Sequence, residues 1–243
     1  MTDSVIEIFS SMQGEGKYVG YRQAFVRFEG CNLCCAYCDT AHTPGTHPFC
    51  RVDTLHADEP ELLAQNPLPA EACAAHVERL LKSAPHQAVS FTGGEPLLHG
   101  DYIADVAARL SAPVLLETNG TLPDAMEKLL PAVAIVSMDI KLPSAAGRAL
   151  WEAHRAFLDV AKRTEVYVKI VVAAETPEDE LLAAFRLIAE AGSDIPLILQ
   201  PVTPHGGCTP PRPAQMLRLH ARASAFLKDV RWIPQTHTAM GIR

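Results

Sequence analysis

From Gln23 onward, short β-rich runs alternate with longer segments of helical periodicity to the end of the chain, and this alternation limits the fold more than any other feature. It predicts strands at Gln23–Phe28, Ala88–Thr92, Val114–Glu117, Ile135–Ile140, Glu165–Val172, Leu197–Val202 and Val230–Pro234. Helices are predicted near Ala70–Ser83, Tyr102–Leu110, Asp124–Leu130, Ala145–Lys162, Pro177–Ala191 and Ala214–Leu227. Such an order implies repeated β-α units around a parallel sheet. The strands outnumber those of a small doubly wound domain yet fall short of eight full units. The expected fold is therefore α/β, an incomplete and open β/α barrel. A chain of 243 residues suits one large core, so residues 1–243 are read as a single domain. Within it, Ala41–Pro69, rich in Pro, His and Asp, reads as a long insertion or lid.

Hydrophobic residues at 48% and charged residues at 20% suit a globular protein and exclude a disordered or fibrous one. Twenty-one basic against 28 acidic residues give a net charge of -7 with no basic run, which argues against a nucleic-acid partner. The start, MTDSVIEIFS, has neither a basic nor an apolar leader segment, and no apolar run approaches the ~18 residues of a membrane span; a cytoplasmic protein is expected. Seven cysteines, four of them between positions 31 and 38, favour metal or redox chemistry over disulfides.

The run CNLCCAYC follows the first predicted strand, where the ends of parallel strands build active sites. Read as Cys31-x-x-Cys34 with Cys35-x-x-Cys38, it is a four-thiolate structural metal module. Such modules separate their pairs by a dozen or more residues, and adjacent Cys34 and Cys35 do not easily face one ion. Read as Cys31-x-x-x-Cys35-x-x-Cys38, it offers three thiolates to an iron–sulfur cubane and leaves one iron open to a ligand. Cys34 is then a bystander, and Cys50, Cys73 and Cys208 are expected to be small buried hydrophobes.

With Tyr37 before the last cysteine, this loop resembles that of the radical S-adenosylmethionine superfamily. The resemblance implies a radical-type partial barrel, a [4Fe-4S] cluster on Cys31, Cys35 and Cys38, and S-adenosylmethionine chelated to the open iron. There an electron from the reduced cluster cleaves the sulfonium to a 5′-deoxyadenosyl radical. Thr92-Gly93-Gly94-Glu95-Pro96, by itself a glycine turn, is similar to the element that holds the amino group of the cofactor. Polar residues at later strand ends converge on one rim. By resemblance, Tyr37, Cys38, Asp39, Gly94, Ser137, Met138, Asp139 and Gln200 are expected to bind S-adenosylmethionine.

Phe9 to Gly16 (FSSMQGEG), Arg27, Asp39-Thr40 and the ending Pro234-Gln235-Thr236-His237 through Gly241 to Arg243 resemble the 7-carboxy-7-deazaguanine synthase family. That family converts 6-carboxy-5,6,7,8-tetrahydropterin to 7-carboxy-7-deazaguanine, a step toward queuosine. The implied course is hydrogen-atom abstraction, radical ring contraction, return of a hydrogen atom and loss of ammonia. Gln13 and the backbone of Met12 and Gly14 suit the donor–acceptor edge of a pterin, and Arg27 suits its carboxylate. The resemblance adds Thr92, His237 and Arg243 to the substrate shell, Thr40 as a Mg2+ ligand, an electron donor such as a flavodoxin, and a homodimer. On their own, Thr40 is a turn residue and His237 a core or surface histidine. The rival readings are a glycyl-radical-enzyme activase, which would not need Gln13, Arg27 or the ending at Arg243, and a non-catalytic cysteine-ligated metal module.

Overall fold

The computed structural model of the chain describes residues 1–38, 47–54 and 60–242. Runs such as EVYVKIVV are buried along nearly their whole length, as strands covered on both faces of a parallel sheet must be. The strands are β1 (Val5–Met12), β2 (Arg22–Phe28), β3 (Phe49–Val52), β4 (Leu62–Gln65), β5 (Ala88–Gly93), β6 (Val114–Thr118), β7 (Ile135–Asp139), β8 (Glu165–Val172), β9 (Leu197–Pro201) and β10 (Val230–Trp232). They form a ten-stranded sheet in the order β10-β9-β8-β7-β6-β5-β2-β1-β3-β4, whose two ends do not pair. All neighbours from β2 through β5 to β10 are parallel. β1 is antiparallel to β2, β3 is parallel to β1, and β4 closes the far edge antiparallel to β3.

The helices are α1 (Ala70–Ser83), α2 (Gly100–Ala107), α3 (Pro123–Leu129), α4 (Pro143–Ala146), α5 (Trp151–Ala161), α6 (Glu178–Ala191), α7 (Pro213–Ala223) and α8 (Thr236–Met240). Pro213 opens α7 where its missing N–H is harmless, and Glu178, Asp179 and Glu180 place negative charge at the positive end of α6. Val77, Leu80, Phe157, Leu158, Phe185 and Leu219 of these helices pack on Val89, Phe91, Leu116, Val136, Val168 and Leu199 of the sheet to make the main core.

The opposite face of the sheet is graded. A small apolar layer of Ala88, Leu115, Ile135, Tyr167 and Ile198 forms its floor. Two residues further along each strand, the period-two positions on that face are Ser90, Glu117, Ser137, Lys169 and Gln200, all but Glu117 fully buried. A polar cavity thus opens toward the carboxyl ends of the strands.

The seven predicted strands all form, with ends within about two residues of expectation. Three further strands of this sheet were not expected, nor was a separate antiparallel pair of Thr2–Asp3 with Leu68–Pro69. β1 is hidden in sequence by Glu7, Ser10 and Ser11, and β3 and β4 lie inside the segment read as irregular. The single helix predicted over Ala145–Lys162 is instead two, because Gly147 at φ 71° ends α4 in the left-handed region. Cys50 and Cys73 are buried as expected, whereas Cys208 is partly exposed.

Candidate functional site

Beyond β2 the chain runs through Glu29 and Gly30 into the cysteine loop, against which the turn after β5 is packed. Cβ atoms at Gly93 (φ 128°) and Gly94 would lie 2.2 Å from the Phe28 carbonyl oxygen and 1.8 Å from that of Gly30. Only glycine permits this approach. The Gly94 N–H donates to the Phe28 carbonyl (3.2 Å) and the Glu95 N–H to the Gly30 carbonyl (2.8 Å). The Glu95 carboxylate then accepts from Leu97 N (3.0 Å), Thr118 Oγ1 (2.8 Å) and Asn119 N (2.8 Å). Burial raises its pKa against those three donors. The turn is thereby locked to the end of β6.

Cys31, Cys35 and Cys38 line a cavity of about 640 Å³, while Cys34 is exposed and off its wall. The Cys31 Sγ accepts from Leu33 N (3.4 Å) and Asn119 Nδ2 (3.8 Å), donors suited to a cluster thiolate. Burial pushes the Cys35 thiol up to about 11. Among the described residues no three His, Cys, Asp or Glu side chains converge on a single ion. A cubane takes one thiolate per iron, so its three thiolates need not meet on one ion. Cys34→Ala is expected to keep the cluster and Cys35→Ala to lose it, as iron content and visible absorbance would record.

Along the rim, Tyr37, Gly94, Asp139 and Gln200 join the cysteines on the cavity wall. Asp139 Oδ1 and Gln200 Oε1 are buried without a hydrogen-bond partner in the protein, two acceptors aimed where a ligand's hydroxyls or amino groups would satisfy them. The orphaned pair fits S-adenosylmethionine. Lys141, given no role from the sequence, bonds Asp139 Oδ2 at 2.8 Å and lies 5.2 Å from the Tyr37 ring centre. Buried His154 on α5 places Nε2 3.2 Å from the Asn119 carbonyl and 3.5 Å from Lys141 N, so one ring spans the exits of β6 and β7. Burial lowers its pKa to about 4, which keeps the ring neutral. Ser137 sits deeper than the lining residues, and Met138 turns to the opposite face, in the main core against Gly120. The alternation of the strand denies Met138 a side-chain contact with the cavity.

The remaining wall comes from both ends of the chain. Met12, Gln13, Gly14, Arg27, Thr92 and His237 all line it. The Gln13 Nε2 donates to Gln23 Oε1 (3.0 Å) and Glu117 Oε1 (2.8 Å), and its Oε1 accepts from Glu15 N (3.0 Å). A buried amide must be satisfied, so this side chain, expected to read a ligand edge, is committed to the protein. Thr92 Oγ1 donates to Glu117 Oε2 at 2.8 Å. A Cβ on Gly14 would fall 2.2 Å from His237 Nδ1, and Thr236 N donates to the Gly14 carbonyl at 2.9 Å. Glu15 pairs with Lys169 and accepts from Gln235 Nε2 at 2.6 Å. Arg27 Nε donates to Glu7 Oε1 at 2.8 Å. Asp39, Thr40 and Arg243 lie outside the described residues.

The sequence reading missed Lys169, Glu7 and Arg51, and it gave Glu117 and Lys141, at the ends of their strands, no role of their own. Its available signal was a charge inside an apolar strand: Lys169 in YVKIVV and Glu117 in VLLET.

Comparison with known proteins supplies the family. The model of the Radical SAM superfamily matches residues 25–204. The chain is 43% identical to a 7-carboxy-7-deazaguanine synthase of Geobacter sulfurreducens over 97% of its own length and 96% of the relative's. It is 35% identical to one from Archaeoglobus fulgidus, with both chains covered in full. In fold it is similar to the crystal structure of QueE from Escherichia coli (TM-score 0.61, 21% identity, 97% and 94% of the chains covered). A radical SAM methyltransferase from Sphaerobacter thermophilus gives TM-score 0.60 at 14% identity, with 94% and 77% covered. The chain belongs to the radical S-adenosylmethionine superfamily and, within it, to the family of 7-carboxy-7-deazaguanine synthases.

Proposed function

We propose that the chain is a radical S-adenosylmethionine lyase that converts 6-carboxy-5,6,7,8-tetrahydropterin to 7-carboxy-7-deazaguanine and ammonia. One observation carries the reading. The cavity that holds Cys31, Cys35 and Cys38 is also walled by Gln13, Arg27, Thr92 and His237, residues that the resemblance to this family places in the substrate shell. When bound, the cluster and S-adenosylmethionine supply a reducing electron and a radical that abstracts hydrogen.

The residues of the chain bind, orient and shield. Arg27 offers its guanidinium to the substrate carboxylate, and the Glu117 carboxylate offers acceptors to a donor edge. Thr92 and Gln13 hold Glu117 in place. Asp139 and Gln200 receive the cofactor's donors, and Lys141 adds positive charge beside Tyr37. The floor of Leu115, Tyr167 and Ile198 keeps water from the base of the cavity. To the same reading belong Mg2+ at Thr40, Arg243 in the substrate shell, residues 1–243 as one catalytic domain, and a cytoplasmic homodimer reduced by a small electron carrier such as a flavodoxin. Sequence resemblance supports these.

The test is anaerobic reconstitution, reduction and incubation with S-adenosylmethionine and carboxytetrahydropterin, followed by mass spectrometry. Both 5′-deoxyadenosine and the deazaguanine are expected, with higher turnover on adding magnesium. A cluster-replete protein that yields no 5′-deoxyadenosine would overturn the radical chemistry. Its formation without deazaguanine would overturn the substrate alone.

A further inference from the structure

Side-by-side strands set four side chains in one row across the cavity wall. Thr92 pairs in register with Arg27, Arg27 with Glu7, and Glu7 with Arg51, on β5, β2, β1 and β3 in turn. Neighbouring strands lie ~4.8 Å apart, so long side chains on every second strand reach a common point. Glu7 Oε1 accepts from Arg27 Nε and Glu7 Oε2 from Arg51 Nη2, each at 2.8 Å. Two guanidiniums therefore share one carboxylate, which leaves these three side chains with a net positive charge. Arg27, Glu7 and Arg51 all line the cavity.

Two guanidiniums held side by side at one end of the cavity wall suit an anion, and paired guanidiniums match a carboxylate's two oxygens. We propose that Arg51 is a second carboxylate-binding residue, acting with Arg27 as a clamp that separates carboxylated from uncarboxylated tetrahydropterins. The inference rests on the substrate assignment above and extends it to a strand in the segment read as an insertion. Glu7 holds the two arms of the clamp at fixed spacing.

The experiment is anaerobic titration calorimetry of the cluster-loaded enzyme with S-adenosylmethionine and no reductant, so that ligand binds without turnover. The titrants are carboxytetrahydropterin and tetrahydropterin lacking the carboxylate. Arg51→Gln is expected to weaken the carboxylated ligand about tenfold or more and to leave the other within about twofold. Arg51→Lys, which keeps the charge, is expected to fall between wild type and Arg51→Gln. In an Arg27→Gln background, Arg51→Gln should weaken the carboxylated ligand further, since a residue that only braced Arg27 would add nothing. The side chain is 50% exposed, and unchanged thermal unfolding and iron content would show that the variants fold. Equal affinities for wild type and Arg51→Gln, equal loss for both ligands, or no further loss in the Arg27→Gln background would overturn the clamp while leaving the substrate assignment standing. If wild-type enzyme itself fails to prefer the carboxylated ligand, the substrate assignment falls and the clamp with it.

Discussion

Lys169→Met is expected to destabilise the protein by about 3–5 kcal/mol, because it leaves Glu15 buried without its counter-ion. The two side chains are only 7% and 19% exposed. Burial alone would raise the Glu15 carboxyl, but the charge of Lys169 and the hydrogen bond from Gln235 outweigh it and hold the group at about 2. In the wild type this contribution is fully present above the ordinary value of 4.5 and is lost as the pH falls from there toward 2. Without Lys169, burial is expected to outweigh the remaining hydrogen bond from Gln235, so that the folded-state value rises above the unfolded one and the sign reverses. The deficit of the variant should then shrink as the pH is lowered. Urea unfolding at several values between about pH 5 and pH 8 would record this, and a pH-independent deficit would count against it. Glu15→Gln combined with Lys169→Met should recover much of the loss, since no unpaired charge remains.

Gly94→Ala is the second large effect. The added carbon would sit 1.8 Å from the Gly30 carbonyl oxygen and 3.1 Å from the Cys31 nitrogen, both of them backbone atoms that cannot swing aside. The exit of β2 must move, and Cys31 with it. A displacement of ~1 Å at a reacting centre can lower turnover about 100-fold, so 5′-deoxyadenosine formation should fall by that order. Iron content separates the two ways this can happen: a full complement points to a misplaced cofactor, and a reduced one to a misplaced cluster. Wild-type activity and iron content together would refute the close-packing account.

Much of this was legible in sequence where periodicity and burial agree. The seven parallel strands are β-branched, apolar and flanked by amphipathic helices, so their existence follows from local pattern. β1 escaped because Glu7 serves the cavity wall, and its pairing with Arg27 and Arg51 depends on strands distant in sequence. The cysteines and the glycine pair were legible because their chemistry needs fixed spacing along a short loop. Lys169 and Arg51 were not, since a single charge in a strand reads as a solvent-facing residue until the fold shows what lies opposite. Gln13 was found for its type, yet its partners Gln23 and Glu117 could be known only from the packed sheet.

The bond from Thr236 to the Gly14 carbonyl joins segments at opposite extremes of the chain. During synthesis, Gln13, Arg27 and the cysteine loop leave the ribosome long before His237 does. The last wall is therefore built only after the segment around His237 has been made, and closing so long a loop is among the slower contacts to form. A nascent or C-terminally clipped chain carries the thiols that gather iron but not the side that encloses a substrate. The order of synthesis thus holds back assembly of the enclosed site until the segment around His237 is present to contain a reactive species.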